Sequence, residues 1–199
     1  MQQGEVAENE NEYDKVLKQN QIYLAIISRY KDYIEEKENL SIAELPRLVT
    51  PKDEAVLDKV KEIQANFKPY LYENDFYNAS ILAQHFVNSS ISNMVLPLQF
   101  WLSPAETLRF MIGDEVDKNI LLCSMLIALG NPSTKVLIIV RDGAMSVYVY
   151  YEFKEKFYLM GKENDIQLFE SKESMLESMK ISEESVAYEF NDRIYTDIC

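Results

Sequence analysis

The run WLSPAETLRFMIGDEVDKNILLCSMLIALG, residues 101–130, decides the fold. Ser103-Pro104-Ala105-Glu106 has the form of a capping box with proline at the first helical position, and it predicts a short helix to about Met111. Gly113-Asp114 interrupts that pattern. Val116 to Leu129 is then apolar on most sides and stops at Gly130-Asn131-Pro132, which predicts a second helix at the buried centre of the domain.

Toward the N-terminus the chain reads as helices. The first dozen residues are polar and acidic, so residues 1–12 are expected to form a disordered tail. Tyr23, Ile26, Ile27, Tyr30 and Ile34 fall on one face of a helix expected over about 13–37. Thr50 can cap a second helix, with Pro51 at its first position and a stripe of Val56, Leu57, Val60, Ile63 and Phe67. A third pattern, about 77–92, carries Ile81, Leu82, Phe86 and the sole histidine, His85. Residues 13–95 are thus expected to be an N-terminal helical region packed on a core at 96–199.

Toward the C-terminus the texture changes to strands. Lys135 to Val140 is β-branched and aliphatic, Arg141-Asp142-Gly143 is a turn, and Ser146 to Phe153 is rich in Val and Tyr. Phe157 to Met160 makes a third strand, so an antiparallel meander is expected to pack on the central helix. A helix near 172–180 and a strand near 186–190 close the chain. The fold class is α+β, helices first and sheet after.

Composition narrows the function. Twenty basic side chains against 33 acidic give a formal net charge of −13 and a pI near 4.6, a field that repels nucleic acid and anionic membranes. No Gly-rich stretch has the spacing of a phosphate loop or dinucleotide fingerprint. Two cysteines, Cys123 and Cys199, make no disulfide framework, and one His with two separated Cys makes no zinc site. No cofactor or metal is expected. The polar, acidic start does not resemble a signal peptide, and the apolar run Ile120–Leu129 is shorter than a bilayer requires, so a cytoplasmic protein without membrane insertion is expected.

The 101–130 run resembles the core of the transglutaminase-like cysteine-protease superfamily, including its archaeal and bacterial branches. Their pattern reads Trp-x-x-Pro-x-Glu-Thr-Leu, a spacer, Gly-Asp-Cys-x-Asp, then a helix of Leu and Ala ending in Ala-Leu-Gly. Trp101, Pro104, Glu106, Thr107, Leu108, Gly113, Asp114, Asp117, Leu121, Leu122, Ala128, Leu129 and Gly130 match it. The resemblance implies a papain-like core with a thiolate at the start of the central helix, where the helix dipole and unpaired N–H groups lower its pKa. It also implies a His on the next strand and an Asp on the strand after.

This chain departs at all three positions. Glu115 stands at the nucleophile, Ser146 at the histidine with Met145 as the off-by-one choice, and Gly161 at the aspartate. Cys123 lies eight residues beyond Glu115, about 12 Å along a helix and roughly 80° around it, so it does not replace the nucleophile. It reads as a small buried hydrophobe. His85 precedes the motif and reads as a packed or partly exposed helix residue.

The resemblance therefore implies a degenerate member that keeps the groove and binds a protein or peptide, with Trp101, Asp114, Glu115, Asp117, Ser146 and Tyr148 as the groove residues. Tyr148 stands where the family carries an aromatic after its histidine, and the Tyr and Phe stripe over 148–158 reads mostly as core. Two alternatives stay open: carboxylate-based hydrolase chemistry at Glu115 with Asp114 or Asp117, aided by a cation, and a purely structural or oligomerisation domain. A Glu at a helix N-terminus tends to keep its charge, which is the wrong bias for a general acid. The sequence names neither a partner nor an oligomeric state.

Overall fold

The computed structural model describes residues 2–38, 41–94, 100–161, 164–181 and 185–198. The chain divides into two compact units. One contains helix α1 (Gln2–Glu38), and the other contains every element from Ile42 onward. Helix α1 takes in the acidic segment expected to be a tail, whose Glu, Gln and Ala residues are good helix formers. The helices that follow α1 group with the sheet in the larger unit.

In the larger unit a 3-10 turn (Ile42–Leu48) leads to α2 (Glu54–Gln64) and α3 (Tyr72–Ser90). The cap of α2 is Asp53, whose carboxylate accepts the Ala55 N–H at 2.9 Å. Thr50, expected to be the cap, instead closes the preceding turn, its carbonyl accepting the Asp53 N–H. Strand β1 (Ser92–Asn93), helix α4 (Pro104–Phe110) and strand β2 (Ile112–Gly113) follow. The Ser103 capping box at α4 forms as expected, Glu106 accepting the Ser103 N–H at 2.9 Å. Strands β1 and β2 pair in parallel, which brings Asn93 beside Gly113.

Helix α5 (Glu115–Ala128) is the buried centre that residues 101–130 predicted. Ile120, Leu121, Met125 and Leu126 are fully buried, each worth roughly 1.5–3 kcal/mol of transfer free energy. The helix packs against α2, α3 and α4 on some sides and against the sheet on another.

That sheet has six antiparallel strands, β3 (Lys135–Arg141), β4 (Ala144–Phe153), β5 (Lys156–Met160), β6 (Ile166–Phe169), β7 (Val186–Phe190) and β8 (Tyr195–Asp197), in the order β6-β5-β4-β3-β7-β8. Helices precede an antiparallel sheet, so the class is α+β as expected. Val136, Ile138, Val147, Val149 and Tyr151 alternate onto the face that joins the main core. Leu137, Ile139, Tyr150 and Leu159 alternate onto the other face, covered by Met175 of α6 (Lys172–Ser178). Among the described residues no helix is long and apolar enough to cross a membrane.

Candidate functional site

Helix α5 begins where a short chain of hydrogen bonds fixes it. Asp114 is its N-cap, accepting the Asp117 N–H at 2.9 Å, and Asp117 returns the bond by accepting the Asp114 N–H at 2.9 Å. The other Asp117 oxygen accepts the Leu102 N–H at 2.8 Å, which ties the segment after Trp101 to the helix start. Asp117 is only 2% exposed, and this burial pushes its carboxyl up to about 6 despite the two N–H donors. Gly113 cannot carry a side chain here without disturbance, because a Cβ would lie 3.0 Å from that of Asp117.

The first turn of α5 opens onto a cleft of about 400 Å³. Val87, Val116, Leu122 and Val147 supply apolar lining, and Asn88, Asn93 and Asn119 supply amides. Asp114, Glu115 and Lys118 bring charge, and burial lowers the Lys118 pKa. Met145 and Gly161 complete the lining, in which no Cys or His is found among the described residues.

Sheet geometry explains why β4 reaches the cleft. Strand β5 pairs only with Val149–Phe153, so the stretch 144–148 of β4 runs on past the end of β5. Val147 directs its N–H to the side that β5 has vacated, and the Glu115 carboxylate accepts it at 3.2 Å. Gly161 leaves β5 just there, its carbonyl accepting the Gln84 side-chain amide at 2.9 Å.

The sequence-predicted residues therefore separate into two groups. Asp114, Glu115 and Gly161 line the cleft, with Asp117 buried beneath it. Trp101 is partly buried and packs against the main core. Ser146 and Tyr148 do not belong to the cleft: they line a hollow of about 560 Å³ on the opposite face of the sheet, with Arg141, Leu159 and Met179. Neighbouring strand residues point to opposite faces, so Met145 and Val147 of this stretch line the cleft with Glu115 while Ser146 and Tyr148 line the other hollow.

Sequence reasoning missed the amides and Val147. Lys118, Asn119 and Leu122 follow Glu115 at helical i+3, i+4 and i+7, a signal that was readable. Asn88, Asn93 and Val147 arrive through tertiary pairing and left no local mark.

The remaining candidates lie elsewhere. His85 is exposed on α3. Cys123 is fully buried in α5, where loss of water raises the thiol pKa and suppresses the thiolate. Cys199 lies outside the described residues. Among the described residues no group of three or more His, Cys, Asp or Glu side chains is placed to hold a metal ion.

No family model matches the chain, and no curated protein matches it. Among solved structures, that of Legionella pneumophila LapG is similar with a TM-score of 0.45 at 15% identity, over 71% of this chain and 87% of that one. The calcium-bound form of Legionella pneumophila LapG gives 0.44 at 14% identity, over the same 71% and 87%. Its EGTA-treated form gives 0.48 at 13% identity, over 80% of this chain and 91% of that one.

Proposed function

We propose that this chain is a non-catalytic, transglutaminase-like domain of the cytoplasm that binds a peptide or protein segment in the cleft at the start of α5. The observation that carries this reading is the Glu115–Val147 hydrogen bond. Glu115, at the position where the resembling family keeps its nucleophile, spends its carboxylate on a strand N–H. Met145 and Gly161, beside it, offer neither a proton acceptor nor an orienting acid.

What is left of the site suits recognition. An apolar floor with three amides around it can bury a side chain and hydrogen-bond a peptide backbone, the balance found in small-ligand and peptide sites. The β4 stretch beyond β5 is a sheet edge whose Val147 N–H already bonds Glu115, so an extended segment beside it would draw its hydrogen bonds from the cleft amides.

The test pairs binding with turnover. A fluorescent peptide library is titrated against the wild type and Met145→Arg, a substitution at a 42%-exposed side chain that fills the cleft without entering the core. Peptides that bind the wild type are expected to lose affinity for the variant, and no amide hydrolysis or transamidation is expected from either. Turnover abolished by Glu115→Gln or Cys123→Ser overturns the reading in favour of an enzyme. Binding indifferent to Met145→Arg removes the cleft from it.

A further inference from the structure

Helix α1 carries a mostly exposed apolar surface, in which Ile27 and Ile34 are half-buried. Val16, Asn20, Tyr23, Ile27, Tyr30 and Ile34 recur at alternating steps of four and three residues, the 3.5-residue period of a supercoiled helix pair rather than of a face laid on a sheet. Leu17, Leu24 and Ile26 flank this seam. The outer positions are mostly polar, Lys15, Lys18, Gln21, Ser28, Arg29 and Asp32, with Ile22 and Ala25 the exceptions.

Val16, Leu17, Tyr23, Leu24, Ile26 and Tyr30 keep between 45% and 54% of their surface exposed. At roughly 100 Å² apiece they present about 600 Å² of apolar surface, the upper end of what a monomer leaves open to water. A solitary helix of this kind is marginal in water, because helices take most of their stability from packing an apolar face.

We infer that α1 is a self-association surface, through which two copies of the chain pair as a two-stranded coiled coil. Three observations select a second copy. The seam is complete in one helix and needs only its own repeat opposite, so a two-fold axis makes it self-complementary. The positions Asn20, Ile27 and Ile34 form one heptad row with two β-branched residues and a single asparagine, the composition that favours two strands in a fixed register. Two facing helices that cover the seam and all of its flanking residues remove at most about 1,200 Å² from water, against the ~1,000 Å² expected of a specific interface. The acidic chain disfavours an anionic lipid surface as the occupant.

Light scattering coupled to size exclusion, on the full chain over a concentration series, tests this directly. The expected mass is about twice the 23.2 kDa of one chain. The double variant Tyr23→Lys with Ile27→Lys is expected to run at the monomer mass, while its near-ultraviolet signal from Trp101 in the larger unit stays that of the wild type. Asp32→Lys, on the polar face, is expected to remain dimeric. A monomeric wild type, or a dimer unchanged by the seam variant, overturns the inference. So does a monomeric chain that binds zwitterionic lipid vesicles through the same residues, which assigns the face to a lipid surface.

Discussion

Replacing Asp117 by Asn removes the one titrating group buried at the head of α5 and leaves its shape. Burial raises the Asp117 pKa to about 6, well above the ordinary aspartate value of 3.8, so the folded state holds its proton more tightly than the unfolded chain does. Stability from this group therefore rises as pH falls through 6 and is complete below the unfolded value; the full span is about 3 kcal/mol. Roughly 2 kcal/mol of that falls between about pH 7.5 and about pH 4.5. Asn offers one acceptor oxygen to the N–H groups of Asp114 and Leu102, so one of them loses its partner at a cost of about 1–3 kcal/mol that does not vary with pH. Urea unfolding of both proteins across this range gives the difference in stability, from which the shared carboxylates cancel apart from Asp114, which is bonded to Asp117. The wild-type advantage should grow by about 2 kcal/mol on acidification. A difference that stays constant across the range refutes a raised Asp117.

Glu189 anchors α6 to the sheet. Its carboxylate is 3% exposed and accepts Lys135 Nζ at 2.6 Å, Lys172 Nζ at 2.6 Å and the Tyr150 hydroxyl at 2.5 Å. Glu189→Ala strands two ammonium groups and should cost about 3–5 kcal/mol in urea unfolding, so a loss under ~1 kcal/mol contradicts a buried network. Cys123, in a Cys199→Ser background, should resist an aromatic disulfide reagent in the native state and react once the chain is unfolded in urea. Reaction of the folded protein at the rate of a free thiol contradicts its burial.

Residues 101–130 were legible because each signal in them is local: a capping box, a stop at Gly130 with φ +111°, and an apolar run too uniform for a surface helix. Helix α3 begins earlier than its apolar pattern suggests, because its N-cap is Leu71 and no side chain caps it; Asp75 instead accepts the Leu71 N–H at 2.7 Å. Strands β6 and β8 escaped notice since both are short edge strands whose residues are nowhere fully buried. The phase of β4 was the costliest omission. Val147, Val149 and Tyr151 face one core while Tyr148 and Tyr150 face another, so hydrophobic alternation gives no clue to which face meets α5. Only the packing of the helix against the sheet puts Met145 in the cleft and Ser146 in the hollow on the other face.

The strand order has a consequence for how the chain is made. Strand β3 lies in the middle of the sheet, yet its second neighbour is β7, encoded far downstream, with β4, β5, β6 and α6 in between. A chain growing from the ribosome can zip β3 to β4 at once, but the other flank of β3 stays open until β7 has emerged. Leu137 and Ile139 lack the helix that covers them until α6 is made, and lack β7 for longer still. A ribosome stalled before residue 186 thus presents a long aliphatic strand with one unsatisfied edge, the species most prone to pairing with a neighbouring nascent chain.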